Sequence, residues 1–375
     1  MRKNNRAWAL LRVLTCSRLD PMAIAPDALA IVRTVIPNAA GMLFLTSHDG
    51  MPHAFFHEDT PQSARDIFVR EPQLFMGPKE FSVFQLAGSS AFPKAGRFLE
   101  PPPGFYSSNS YQLLHRPAGH HHFLESRLEV DGRRCGVISV TRGHGKPFNQ
   151  RDLANLEQVA RYVEHAIKSA DAAAADADWV VAQEAMLVAR ADGSILFGNT
   201  AVDALLADVP HVGSLWPDRR RLPLMFLHLI ERLRDGKRYP NQMPSISIAV
   251  PGAYIEASAH WLLAPEAVPR ADAYPAELTA DAPVGIVLRR RVPAHLTVLE
   301  RLREAELTPR ELEVGFWMAL GKRDAVRANL PISEAVLRDC VKVLFDRFGC
   351  NSQDDFQQRL RQPASGHSRA SGNPG

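Results

Sequence analysis

The run Leu307-Thr308-Pro309-Arg310-Glu311-Leu312-Glu313-Val314 constrains this chain more than any other stretch. Thr308 carries a side-chain oxygen that can accept a hydrogen bond from the first turn of a helix. Pro309 then falls at the first helical position, where its missing N–H costs nothing. Glu311, three residues after Thr308, can reach back to the Thr308 backbone N–H, completing a capping box. The spacing predicts a helix to about Leu320, with Gly321 as its stop. A second short helix is predicted over 324–329, broken by Pro331-Ile332. Ser333 can cap a third, ending near Gly349. Along it Leu337, Val341, Leu344, Phe345 and Phe348 recur at helical spacing, an apolar stripe facing a core. Arg338, Asp339, Lys342 and Asp346 fall on the other side.

Two helices, a tight turn and a third helix with a polar outer face suit docking in a DNA major groove. Residues 303–362 resemble the LuxR-type helix-turn-helix. The family's opening Leu-Thr-Pro-Arg-Glu-x-Glu-Val stands here as Leu307 to Val314, its Ala-x-Gly as Ala319-Leu320-Gly321, and its Leu-x-Ile-Ser as Leu330-Pro331-Ile332-Ser333. Its closing Lys-(Leu/Thr)-Gly-Val stands as Arg347-Phe348-Gly349-Cys350. The resemblance implies that Ser333, Val336, Arg338, Asp339 and Lys342 face the groove and that Arg347 lies near phosphate. The chain departs from the pattern in several places, and its Gly321–Leu330 spacing is one residue shorter than usual. Val336 stands where the family has Thr, and Cys340 where it has His. Gly315 replaces an aliphatic residue, at a cost of ~1 kcal/mol relative to Ala in a helix. Leu312 is apolar on a face that is usually charged. Cations and anions nearly balance over 301–362, whereas strong DNA binders usually carry a clear basic face. A signalling adaptor with a degenerate helix-turn-helix is therefore the alternative.

A length of 375 residues leaves room for two or three domains. Cys16, Cys135, Cys340 and Cys350 are scattered without metal-ligand spacing, which suits a reducing compartment rather than a disulfide framework. No stretch approaches the ~20 apolar residues of a membrane span, and a cytoplasmic protein is expected. Arg12 interrupts the apolar run around Trp8 to Leu11, so a signal peptide is not expected; the folded pattern begins near Met22, and residues 1–21 read as a disordered extension or an overlong start, with Met22 as the alternative to Met1. The Ser/Gly/Pro-rich tail, 363–375, is also expected to be disordered.

Between these ends the pattern is mixed. Within 22–170, a helical pattern from Ala28 to Val35 precedes Met42 to Leu45 and Ala54 to Phe56, which flank Asp49-Gly50. Arg127 to Val130 and Cys135 to Val140 flank Asp131-Gly132 in the same way. An Asp-Gly between apolar runs is a hairpin signal. Asn149 can cap a helix with Asp152 at its third position, and Leu153, Leu156, Val159, Ala160, Val163 and Ile167 follow at spacings of three and four. Helix, antiparallel sheet and closing helix together resemble a GAF-like sensor domain. After an Ala/Asp linker, residues 178–292 repeat the style. Ala185 to Ala189 and Ser194 to Phe197 flank Asp192-Gly193, and Asn199-Thr200-Ala201 leads to Leu205-Leu206, an opening similar to PAS-like sensor domains. A helix over 223–233, a hairpin around Pro251-Gly252 and a last strand over 284–288 follow.

The expected fold class is thus a multidomain α+β chain: two antiparallel-sheet sensor-like domains followed by an all-α helix-turn-helix. The order resembles a bacterial one-component transcription regulator, which implies double-stranded DNA as partner, a small-molecule ligand upstream, a homodimer through residues 150–180 or 293–306, and RNA polymerase as a further candidate partner. No cofactor, no metal and no enzymatic activity are expected. His115, His120, His121 and His122 around Gly119, with His53 and His57 near Glu58 and Asp59, read as an exposed histidine loop; the rival is the site of a metal-dependent hydrolase. Phe44, Phe55, Phe56, Phe81, Phe84, Phe105 and Tyr106 read as ordinary core, with the lining of a small-molecule cavity as the alternative. Arg219 to Arg221 and Arg289 to Arg291 are either solvated faces or contributors to DNA affinity.

Overall fold

The computed structural model describes residues 2–47, 52–77, 80–88, 92–170, 179–209, 220–234, 244–262, 281–321 and 323–361. The tail expected to be disordered, the Ala/Asp linker and the Asp49-Gly50 turn lie outside them.

The first sheet has four antiparallel strands in the order β2-β1-β4-β3: β1 Ala40–Thr46, β2 Pro52–His57, β3 His122–Val130 and β4 Arg133–Arg142. Both expected hairpins form. Asp131 and Gly132 take φ of 49° and 76° between β3 and β4, the pair of positive values that a two-residue turn requires to match strand twist. Alternation along β1 sends Leu43 and Leu45 to one face of the sheet and Phe44 to the other. The Leu43 face is covered by α2 (Pro21–Val35) and α5 (Gln150–Ser169), and α1 (Arg2–Thr15) packs on those helices. The Phe44 face carries α3 (Gln62–Arg70) and α4 (Val83–Gly88). Asn149 and Asp152 close the expected capping box on α5.

The second sheet has five antiparallel strands in the order β6-β5-β9-β8-β7: β5 Trp179–Arg190, β6 Ile195–Gly198, β7 Ser245–Val250, β8 Ala253–Trp261 and β9 Pro283–Pro293. Helices α6 (Ala201–Asp208) and α7 (Leu224–Arg234) bury Leu205, Leu206, Phe226, Leu229 and Ile230 with Ala185, Leu187, Ile255, Ala257 and Ile286 of the strands. Arg289 and Arg291 pair with Glu184 and Glu256 at 2.7 and 2.5 Å, so this basic run is tied into the sheet.

From β9 the chain passes directly into α8 (Ala294–Glu304), then α9 (Pro309–Leu320), α10 (Arg323–Asn329), α11 (Glu334–Phe348) and α12 (Gln353–Arg361). Here Thr308 Oγ1 accepts from the Glu311 N–H at 3.3 Å and Glu311 Oε2 accepts from the Thr308 N–H at 2.8 Å, the reciprocal cap that the sequence predicts. The helical unit starts near 294 rather than 303, because α8 packs on α9 and α12.

Three expectations need correction. Residues 2–15 are not a disordered extension but helix α1, with Leu11 and Leu14 wholly buried. Ala7, Leu10, Leu11, Val13 and Leu14 join a single core that also holds α2, α5 and α8 to α12. The apolar faces of both expected dimer segments are also spent within the chain: Leu156, Val159 and Val163 of α5, and Leu296, Leu299 and Leu302 of α8, all lie in that core. The third correction, to the histidine loop, concerns the site below.

Candidate functional site

Two of the places among the described residues that combine placed polar groups with access to solvent bear on function. The first is the outer face of α11. Ser333 Oγ accepts from the Val336 N–H at 3.4 Å, capping the N-terminus. Gly349 closes the other end at φ 64°. Leu337, Cys340, Val341 and Leu344 are buried, so Cys340, where the family pattern has His, serves as a small apolar filler. Val336, Arg338, Asp339, Lys342 and Arg347 face solvent. Among the described residues none of Arg338, Asp339, Lys342 and Arg347 has an ion-pair partner. The preceding turn is braced: Arg327 pairs with Glu334 at 2.5 Å, and Arg310 donates to the Pro331 carbonyl at 3.3 Å. The residues predicted to meet DNA thus form one exposed surface, with Ser333 occupied as a cap.

That surface is anchored to the first domain. The Arg6 guanidinium of α1 donates to the carbonyls of Leu302, Arg303 and Ala305 at 3.1, 2.8 and 2.5 Å, capping the end of α8. Arg12 pairs with Glu313 of α9 at 2.7 Å, and Asp27 of α2 with Arg303 of α8 at 3.3 Å. Leu312 is wholly buried in the shared core. A face usually charged in the family is apolar here because it is not solvated.

The second place is a small cavity of about 60 Å³ on the Phe44 side of the first sheet, partly open to solvent. Met42, Phe55 and Phe68 form its apolar wall, and His57, Asp59 and His115 its polar one. His57 ends β2. His115 ends a π-helical turn, Ser110–His115, whose wide pitch appears in the Arg116 N–H to Tyr111 carbonyl bond at 2.8 Å. Glu80, itself buried, fixes the start of that turn by accepting from the Asn109 and Ser110 N–H groups at 3.1 and 2.9 Å. Gly119, at φ 72°, turns the chain so that the His120 N–H reaches the His115 carbonyl at 3.0 Å. Behind these, Arg97 and Glu125 form a buried pair at 2.7 Å, and Arg97 also donates to the Ser82 carbonyl at 3.2 Å. Burial pushes the Glu125 carboxyl above its usual range, against the pull of Arg97.

The exposed-loop reading of the histidines is therefore overturned. His120 is 2% exposed. Its ring lies 5.5 Å from that of His57 and 6.5 Å from that of His115, centre to centre. Desolvation, reinforced by the neighbouring imidazoles, brings His57 down to about 4 and His115 to about 3; burial also lowers His120. All three are neutral near pH 7. Both ring nitrogens of His120 are buried without a hydrogen-bond partner. His121 and His122 are placed differently: His121 Nδ1 meets the Tyr111 hydroxyl at 3.0 Å, and His122 Nε2 the Gly145 carbonyl at 3.0 Å. Of the aromatics, Phe44 and Phe105 are core as predicted, whereas Phe55 lines the cavity. Among the described residues no group of three or more His, Cys, Asp or Glu is already drawn up to hold a metal, and no helix is long and apolar enough to cross a membrane.

Residues 20–167 match the family model of the GAF domain. This segment runs from the cap of α2 almost to the end of α5, and includes the first sheet and the histidine cavity. No curated protein matches the chain. Among solved structures, the chain aligns with the Escherichia coli DhaR(N)–DhaL complex at 12% identity, over 76% of this chain and 87% of that one, with a TM-score of 0.20. It aligns with the sensor region of a sensor histidine kinase at 10% identity, over 76% and 87%, with a TM-score of 0.19.

Proposed function

We propose that this chain is a cytoplasmic one-component transcription regulator. Its GAF domain takes a small ligand, a PAS-like second domain follows, and the C-terminal LuxR-type unit binds double-stranded DNA. The observation that carries the reading is the outer face of α11. A helix capped at both ends and packed on a shared core presents Arg338 and Lys342 without ion-pair partners among the described residues. Arg338 and Lys342 contact the DNA, Val336 and Asp339 face the groove, and Arg347 lies near phosphate. The shared core and the Arg6, Arg12 and Asp27 contacts give a ligand in the GAF domain a physical route to this face. A symmetric dimer belongs to this reading, since two half-sites one helical turn apart suit a two-fold protein. Its interface is not the apolar face of α5 or α8. RNA polymerase is the further partner a regulator of this kind would meet.

A second reading, an adaptor that no longer reads DNA, is favoured by Val336, which stands 43% exposed without a hydroxyl in the middle of the contact surface. Gel-shift measurements on genomic fragments, from low salt upward, separate the two. Retardation that weakens steeply with salt is expected of the regulator; no retardation at low salt leaves the adaptor.

A further inference from the structure

The second sheet buries one face under α6 and α7 and presents large apolar side chains to solvent on the other. We infer that Phe197, Met186 and Leu262, with Val287 and His260 between them, form an interface on which a second copy of this chain docks, sheet face to sheet face. This rests on the dimer of the proposed regulator and locates an interface for it away from α5 and α8.

Strand pairing fixes which side chains share the outer face. Ala185, Leu187 and Ala189 of β5 point into the core, so Met186 and Val188 point outward. Phe197 of β6 lies opposite Val188, Val188 opposite Gly285 of β9, and Gly285 opposite His260 of β8. One step along the strands, Met186 lies opposite Val287, and Val287 opposite Ser258. Gly285 carries no side chain, and two neighbours fold over it: a Cβ there would lie 2.7 Å from His260 Nε2 and 3.1 Å from Leu262 Cδ2. The central strand therefore raises no ridge at this point. Phe197 is 64% exposed, Met186 50% and Leu262 39%. Aromatic residues and methionine are the types enriched where proteins meet. Helix α2 meets the same face at its far end, where the Asp20 N–H donates to the Tyr254 hydroxyl and the Gly252 N–H to the Ala23 carbonyl.

Charge and area point to a second copy as the occupant. Beside the apolar rows runs a charged one, Glu184 opposite Arg289 and Arg289 opposite Glu256. A partner surface of a single sign would meet like charge somewhere along this alternating row. A copy related by a two-fold axis along the strands, between β5 and β9, meets none: Arg289 of each copy falls over Glu184 of the other. The same axis sets Met186 over Val287, and the protruding Phe197 over His260 beside the dip at Gly285. Five strands at ~4.8 Å and three outward rows at ~6.7 Å give a footprint of about 500 Å² per copy, or about 1,000 Å² for the pair. That is the lower bound for a specific interface. It suits a weak dimer that DNA carrying two half-sites tightens.

The test is sedimentation velocity of the full chain, from low to high micromolar concentration. A reversible monomer–dimer equilibrium is expected. Phe197→Arg and Met186→Arg should each weaken it by at least about ten-fold, while Met76→Arg, at an exposed methionine of the first domain, leaves it unchanged. Glu184→Arg and Arg289→Glu should each dimerise poorly alone and dimerise when mixed, a rescue that only contact between copies produces. Circular dichroism checks that each variant folds; should Phe197→Arg unfold, Met186→Arg carries the test. A chain that stays monomeric at every concentration overturns the inference and leaves this face to another protein. A dimer untouched by Phe197→Arg and Met186→Arg also overturns it, but the dimer of the proposed regulator then stands with its interface elsewhere. A charge-reversed mixture that stays monomeric overturns the face-to-face pairing. DNA binding is read separately by gel shift, so its failure is distinguishable from each of these results.

Discussion

Arg12 of α1 reaches Glu313 of α9 at 2.7 Å, and Glu313 is only 4% exposed. A carboxylate so enclosed depends on its cations, here Arg12 and, at 3.4 Å, Arg310. Removing one partner of a buried pair is expensive because a charge is left behind. Arg12 is itself half exposed, and Arg310 remains, so the cost is smaller than for a wholly buried pair. Arg12→Ala should destabilise the chain by ~1–2 kcal/mol, read as a lower urea midpoint. Added to Glu313→Gln it should cost less, since the stranded charge is then gone. A double variant that is simply additive would exclude coupling across this contact.

Gly315 is a second consequence of the shared core. Helix propensity alone makes Gly315→Ala stabilising by ~1 kcal/mol. In the structure, a Cβ at this position would lie 3.1 Å from Leu302 Cδ2 and 3.1 Å from Leu344 Cδ2. Both are ends of flexible side chains and can yield a few tenths of an ångström, offsetting the backbone gain. Gly315→Ala should therefore be within about 1 kcal/mol of neutral, and Gly315→Val destabilising by roughly 1–3 kcal/mol, both read from thermal or urea unfolding. A clear gain from Val would mean that α8, α9 and α11 pack less tightly here.

The Tyr254 hydroxyl of β8 accepts from the Asp20 N–H at 2.8 Å, tying the second sheet to the start of α2. Burial pushes this phenol up to about 12. The sign follows from proton counts. The unfolded tyrosine ionises near its ordinary value of about 10, while the folded one keeps its proton until about 12. Between those values the unfolded chain holds fewer protons, so stability falls as pH rises. The loss is at most about 3 kcal/mol. Tyr254→Phe should lose ~1 kcal/mol near neutrality and show a shallower decline between pH 10 and 12. Parallel curves for the two proteins would remove Tyr254 from the alkaline response.

The parts legible in the sequence were those set by neighbours along the chain. Thr308 with Glu311, Asn149 with Asp152, Ser333 before α11 and Asp131-Gly132 between β3 and β4 are local chemistry, and each formed as spaced. What escaped depends on partners far apart. Leu11 and Leu14 made a short apolar helix with no visible use until α9 covered it, some 300 residues on. The three inner histidines come from separate elements, and nothing in the run His120-His121-His122 reveals that His120 turns inward while His121 and His122 do not. A hint lay in Gly119, whose freedom to adopt φ 72° makes that reversal possible. Gly136 is similar: its neighbours read as ordinary strand, yet a Cβ there would lie 2.0 Å from the Phe44 carbonyl oxygen.

That last position yields its own prediction. Gly136 pairs with Leu45 across the β1–β4 ladder at φ 149°. The obstructing atom belongs to backbone, so no side-chain rotation can relieve it. Gly136→Ala must separate the two central strands, and a cost above about 3 kcal/mol is expected, seen as lost β-sheet signal or insoluble expression. A folded Ala variant of near-native stability would contradict this close approach.

The DNA-binding reading turns on Lys342. It stands exposed on α11, on the face opposite Leu337 and Leu344, and lacks an ion-pair partner among the described residues. On that reading Lys342 is assigned to phosphate rather than to a base edge, and its loss should weaken binding on every sequence alike. Each phosphate contact contributes about 0.9 to the slope of log affinity against log salt. Lys342→Ala should therefore flatten that slope by about one. Ser333→Ala separates stability from contact: it removes the cap on the Val336 N–H, costs ~1 kcal/mol of folding and leaves the slope alone. Val336→Thr adds a hydroxyl at the centre of the surface without adding charge. It should strengthen binding to some sequences while keeping the slope, as a groove contact would and a phosphate charge would not. An unchanged slope in Lys342→Ala would take that residue out of the interface and shift the assignment to Arg338 and Arg347.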